Sequence, residues 1–239
     1  MTIEQKTGIY GKLPMHGDFI HRNLSPAFLT AWDEWLQLYI ASAREQIGEE
    51  WLNIYLTSPI WRFTLSSGVI DEYHWSGILL PSVDQVGRYY PFSIAMPLPA
   101  LANPVEIMSA NTSWFEQIEE LALQALDEQH QVDELVEKIN AIEIDGELIY
   151  HKSAKGVDSD SVKIDAPAGE ALSESAYSAL LDSALTATHN SYSLWSTQGS
   201  ELIPPCLLST QGLPAIDKIP AMIDGQWADS GWSQPYRTL

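Results

Sequence analysis

Lys12, His16, Asp18 and His21 stand within one glycine-rich stretch, GIYGKLPMHGDFIHR at residues 8 to 22, and they are the first residues whose types suggest chemistry. Phosphate binding needs Gly, four residues, then Gly-Lys-Ser/Thr, so that successive N–H groups curl around the phosphates and a hydroxyl reaches Mg²⁺. Here Gly11-Lys12 is followed by Leu13-Pro14, which supplies no hydroxyl and removes a backbone donor, and Lys6 stands where the first glycine belongs. Gly8, Gly11 and Gly17 also miss the dinucleotide spacing G-x-G-x-x-G. A metal reading rests on His16, Asp18 and His21, but neither a cysteine nor a second carboxylate adjoins them to complete a tetrahedral shell. The residues alone read as a glycine-hinged turn, with Asp18 bonded to nearby N–H groups and Phe19 in the core.

A second cluster is Asp84-Gln85-Val86-Gly87-Arg88. Its first four residues match the D-x-x-G of GTPases. Without a P-loop the pattern reads as a turn between strands, with Arg88 paired to Asp84 or stacked among the neighbouring aromatics. The remaining catalytic patterns are incomplete. There is no G-x-S-x-G elbow, the six histidines are scattered, and Cys206 has no base or cation near it in sequence to activate it. Cys206 reads as buried filler. No cofactor is expected.

The chain has 239 residues and a formal charge of −20, which disfavours nucleic acid and anionic lipid, both polyanions. Residues 101 to 190 hold 18 of the 32 acids, and the carboxylates of the helix expected there read as a solvated face. No apolar run approaches a membrane span, and the N-terminus lacks a signal-peptide pattern. A single cysteine fits a reducing cytoplasm, so the protein is expected to be cytoplasmic.

The elements that would position these residues follow from periodicity. Ser25-Pro26 starts a helix whose stripe is Phe28, Trp32, Trp35, Leu36, Tyr39 and Ala43, with Gly48 as its stop. Trp61–Leu65, Trp75–Ser82 and Tyr89–Met96 read as three strands of an antiparallel meander, the last closed by Pro97 and Pro99. Residues 104–128 read as one helix and 133–142 as a short one. Residues 151–170 read as a loop, and 171–188 as a helix. A strand pair at 192–196 and 202–208, a short helix at 213–223 and a Trp-bearing tail complete the chain. This order predicts a layered α/β sandwich with a mixed, largely antiparallel sheet flanked by helices. A single domain over 1–239 is expected, with possible sub-lobes 1–130 and 171–239 joined by the acidic middle.

Together, GIYGKLPMHGDF, SPAFLTAWDEWLQ, EEWLNIYLTSPIWRF and above all WSGILLPSVDQVGRYYPFSIA resemble the TagF (ImpM-like) family, accessory proteins of bacterial type VI secretion. SLWSTQGSELIPP and GLPAIDKIPAMIDGQW near the C-terminus resemble it too. The resemblance implies a longin-like (SNARE-like) sandwich and a non-enzymatic cytoplasmic protein. It also implies post-translational repression of apparatus assembly through a forkhead-associated scaffold protein, with no catalytic residues to carry over. On it, GKLPxHGDF becomes a structural signature, with Gly8 and Gly11 at a strand-entry turn and Pro14 and Gly17 at a second bend. Candidate interaction residues are Lys12, Asp18 and Arg22 in the first segment, then Trp61, Arg62, Asp84 and Arg88, since Trp and Arg are enriched at binding hot spots. The competing reading is a phosphate- or nucleotide-handling enzyme using the 8–22 loop with Asp84, Gly87 and Arg88.

Overall fold

The computed structural model describes residues 6–99, 101–127, 131–144, 163–164, 174–234 and 236. The expected loop at 151–170 falls almost wholly outside these residues.

The first long helix, α1 (Pro26–Ile47), begins where Ser25 Oγ accepts the Phe28 N–H at 3.1 Å. Gly48 ends it at a φ of 74°, a left-handed value that glycine adopts without cost. A short helix, α2 (Trp51–Leu56), leads into the meander β3 (Trp61–Leu65), β4 (His74–Leu80) and β5 (Phe92–Leu98). Earlier in the chain, β1 (Gly8–Gly11) and β2 (Ile20–Arg22) form a hairpin whose β1 pairs with β5. Later, β6 (Tyr192–Thr197) pairs with β3, and β7 (Cys206–Gln211) follows as an edge. The sheet order is therefore β2-β1-β5-β4-β3-β6-β7, with every pairing antiparallel. One sheet thus runs through both candidate sub-lobes.

Alternation along the strands fills two cores, giving the expected α/β sandwich. Tyr10, Trp61, Phe63, Leu65, Trp75 and Trp195 face α1, while Ile9, Ile78, Leu80, Phe92 and Ile94 face the opposite helices. Those helices are α3 (Pro104–Ala110), α4 (Thr112–Leu126), α5 (Val132–Asn140) and, against β6, α6 (Glu174–His189). The aromatic side is dense: the rings of Trp32 and Phe63 lie 4.8 Å apart, and those of Phe28 and Trp75 4.2 Å. Of its buried indoles, Trp32 donates to Ser93 Oγ, Trp35 to the Pro214 carbonyl and Trp61 to the Met222 carbonyl, whereas the Trp51 indole N–H has no acceptor among the described residues.

Several boundaries differ from the sequence reading. The single helix expected over 104–128 is two helices within its described residues, because the fully buried Asn111 leaves helical geometry (φ −107°, ψ 41°). Pro97 lies inside β5 instead of closing it. β1 begins opposite Ala95, so the last residues of β5 pair with β4 alone and a residue without an N–H is tolerated there. The helix expected at 213–223 is a 3-10 turn (Ile216–Lys218) followed by α7 (Ala221–Asp224), which restarts after Pro220. Gly8 and Gly11 are not at a strand-entry turn; they lie within β1, between two strands. A Cβ on Gly11 would stand 2.1 Å from the Pro91 carbonyl oxygen, and its φ is +134°. Cys206 is half-buried, and burial pushes its thiol pKa up to about 11.

Candidate functional site

The two segments singled out in the sequence meet. Lys12 leaves β1 into the loop before β2, and Asp84 sits in the loop between β4 and β5. Lys12 Nζ donates to Asp84 Oδ2 at 2.8 Å, with both side chains buried. Asp84 also accepts from Arg88 Nε at 2.6 Å, and its Oδ1 takes the N–H groups of Val86 (3.0 Å) and Arg88 (2.8 Å). Residues 84–87 are therefore a turn built on Asp84, with Gly87 at a φ of 83°. The Arg88 guanidinium continues to the Gly17 carbonyl, and the Gln85 N–H donates to the His16 carbonyl at 3.0 Å. Below them, Ser82 Oγ donates to the Lys12 carbonyl at 2.6 Å. The loops are clamped into one body.

Burial by itself would raise the pKa of Asp84. The Lys12 ammonium, the Arg88 and Val86 amides and the Arg88 guanidinium outweigh it and hold the carboxyl well below the usual carboxylate range. The aspartate that bonds loop amides is thus Asp84, whereas Asp18, expected in that role, is exposed.

Phe19 is the second departure. Instead of lying in the core it is 48% exposed, held from beneath by an aromatic platform. Tyr10 stacks on it with centroids 5.9 Å apart, Tyr90 meets it edge-on at 4.8 Å, and Lys12 Nζ lies 5.0 Å from its ring centre. Both tyrosines donate to Asp33 Oδ1 of α1, Tyr90 at 2.6 Å, while Gln37 donates to Asp33 Oδ2 at 2.7 Å. Burial first, and then the Asp33 carboxylate, push both phenols far above their ordinary pKa, so they remain donors. The platform ties the loop pair to α1.

Around Phe19 the loops expose Met15 and Val86, and a cleft of about 390 Å³ runs from His16–Ile20 and Arg22 to Gln131–Asp133 at the start of α5. Arg22 Nε donates across its rim to Asp133 at 3.1 Å, with both side chains exposed. The other two candidates lie elsewhere. Trp61 is in the aromatic core. Arg62, on the opposite face of β3, is buried in a two-pronged pair with Glu119 of α4 (Nε–Oε1 2.6 Å, Nη2–Oε2 2.8 Å), its guanidinium over the Phe115 ring. Neither offers a surface to a partner, and Glu119 is no part of a solvated face. Among the described residues, no three His, Cys, Asp or Glu side chains converge as a metal site.

Tyr10, Phe19, Asp33 and Tyr90 were not among the sequence candidates. Tyr90 lies in the GRYYPF run that carries the resemblance, and Asp33 is one of two acids, with Glu34, between the buried tryptophans Trp32 and Trp35 of α1. Nothing in the sequence joins them.

The seven-stranded antiparallel sheet, covered by helices on both faces and carrying a clamped loop pair at one end, defines an α/β sandwich. Residues 8–142 match the family described as "TagF N-terminal domain, Type VI secretion system-associated", and the chain belongs to that family. The matched span runs from β1 to α5 and includes both clamped loops. No curated protein sequence matches the chain. Among solved structures it is similar to PA0076 from Pseudomonas aeruginosa PAO1, with a TM-score of 0.80 and 29% identity over 98% of this chain and 99% of that one.

Proposed function

We propose that this protein is a non-enzymatic, cytoplasmic regulator of type VI secretion, a post-translational repressor that binds a forkhead-associated scaffold protein through the clamped loops. The observation that carries the reading is the internal consumption of the loop's polar groups. Lys12 and Asp84, which a phosphate-handling site would need free, are bonded to each other, and Asp84 is saturated by four donors. The loop pair presents instead a fixed apolar surface of Phe19, Met15 and Val86, rimmed by Asp18, Arg22 and Arg88. Rigid exposed aromatics lose little entropy on binding, which suits a protein-recognition surface. No helix of the described residues is long and apolar enough to cross a membrane, in keeping with a regulator that acts without being inserted.

The test is affinity capture from cells carrying the secretion system, alongside secretion in a deletion strain. Enrichment of the scaffold, and increased secretion on deletion, are expected. Absence of both would remove the reading. Binding of nucleotide with Mg²⁺ dependence, read by calorimetry, would restore the enzymatic alternative.

A further inference from the structure

Along α6 the sizes of side chains are reversed from those of an ordinary surface helix. Its buried residues are the small Ser175, Ala176 and Ser178, whereas Tyr177, Leu180 and Leu181 are 66%, 42% and 47% exposed. With Ala184 and Thr188, also exposed, these follow the three-and-four spacing of a single stripe. None of the exposed side chains from Tyr177 to Thr188 carries a charge at neutral pH. Asp182, within that span, is partly buried and accepts the Tyr192 hydroxyl at 2.5 Å. Leu185 alone of its large apolar residues packs inward, against Val105, Tyr192 and Leu194, and a helix that turns the other three outward has further burial elsewhere.

We propose that α6 is the seam of a homodimer, with two copies of the helix packed antiparallel about a two-fold axis. Charge permits a second copy on this face, and the spacing selects it. On a chain of formal charge −20, a second copy is repelled at most approaches, whereas this stripe meets its own image without opposing like charges. The spacing is also self-complementary. Setting Leu180 against the partner's Leu181 brings Tyr177 over the partner's Ala184, a large side chain into a small one at both symmetry-related positions. The same register leaves Glu174 facing the partner's Ala187, so the acids at the helix ends do not meet. The face is about 20 Å long at the rise of an α-helix. Two such faces bury on the order of 1,000 Å² in total, the low end for a specific interface, so a weak, concentration-dependent dimer is expected. This inference stands apart from the scaffold reading, which concerns the opposite end of the sheet.

Sedimentation of the full chain from about 1 to 200 µM would show a monomer–dimer transition. Leu181→Glu is expected to raise the dissociation constant at least tenfold with an unchanged melting temperature. Should that variant fail to fold, Leu181→Cys in a Cys206→Ser background serves instead, and oxidation should cross-link two copies at the axis. A monomer throughout the range, a dimer indifferent to Leu181→Glu, or an absent cross-link would overturn the proposal. A monomer whose Leu181→Glu variant loses capture of a different protein would overturn it as well, assigning the face to that protein.

Discussion

Lys12 and Asp84, seventy-two positions apart in the chain, form a buried ion pair at 2.8 Å, and every other contact between the two signature loops is arranged around it. Attraction between the charges offsets the cost of removing them from water only while both are present. Asp84→Asn leaves the Lys12 ammonium buried beside a neutral amide and should lower Tm by several degrees. Asp18→Asn, at an exposed position on the same loop pair, should leave it unchanged. Thermal unfolding of the two variants side by side checks this.

The sign of the pH dependence follows from the same carboxylate. Its folded pKa is depressed, so the pairing stabilises the protein fully above the unfolded value of about 4. That contribution is lost as pH falls from there through the lower folded value. Wild type should therefore show a steeper loss of stability below pH ~4 than Asp84→Asn, which lacks the group. Chemical denaturation at a series of acid pH values reads the difference, and parallel curves would mean that the pair contributes nothing.

Arg62 and Glu119 allow a double-mutant cycle. Removing either partner leaves the other charge largely buried and unpaired and should cost about 3 kcal/mol. Arg62→Met with Glu119→Leu, which removes both charges, should recover most of that. Urea midpoints at constant m-value measure the coupling.

Gly11→Ala places a Cβ against the Pro91 carbonyl at a backbone angle that L-residues rarely adopt. The change should separate β1 from β5 and lower stability more than Gly17→Ala, where the added atom meets nothing within 4 Å. Denaturation midpoints of the two variants check the order.

The sandwich was legible because its signals are local. Ser25-Pro26 and Gly48 bound α1, and the meander shows in alternating apolar runs. Other features depend on distant partners. The face of β3 that holds Arg62 follows from alternation, but its burial depends on Glu119, so an arginine that reads as a surface hot spot is interior. Phe19 reads as core because it is a phenylalanine beside a strand, yet Tyr10 and Tyr90, fixed by Asp33, fill the space beneath it. Asn111 breaks an apolar stripe that continues on both sides, so periodicity alone shows one helix where there are two.

The central claim, that the clamped loops present a protein-binding surface, is tested most directly by titrating the purified forkhead-associated scaffold with this protein and its Phe19→Ala variant, measuring Tm of both. Phe19 is half-exposed and bonded to nothing through polar atoms, so truncation should weaken binding more than tenfold, about 2 kcal/mol, with Tm nearly unchanged. Equal affinity of the two proteins for the scaffold, or no binding by either, would contradict the account.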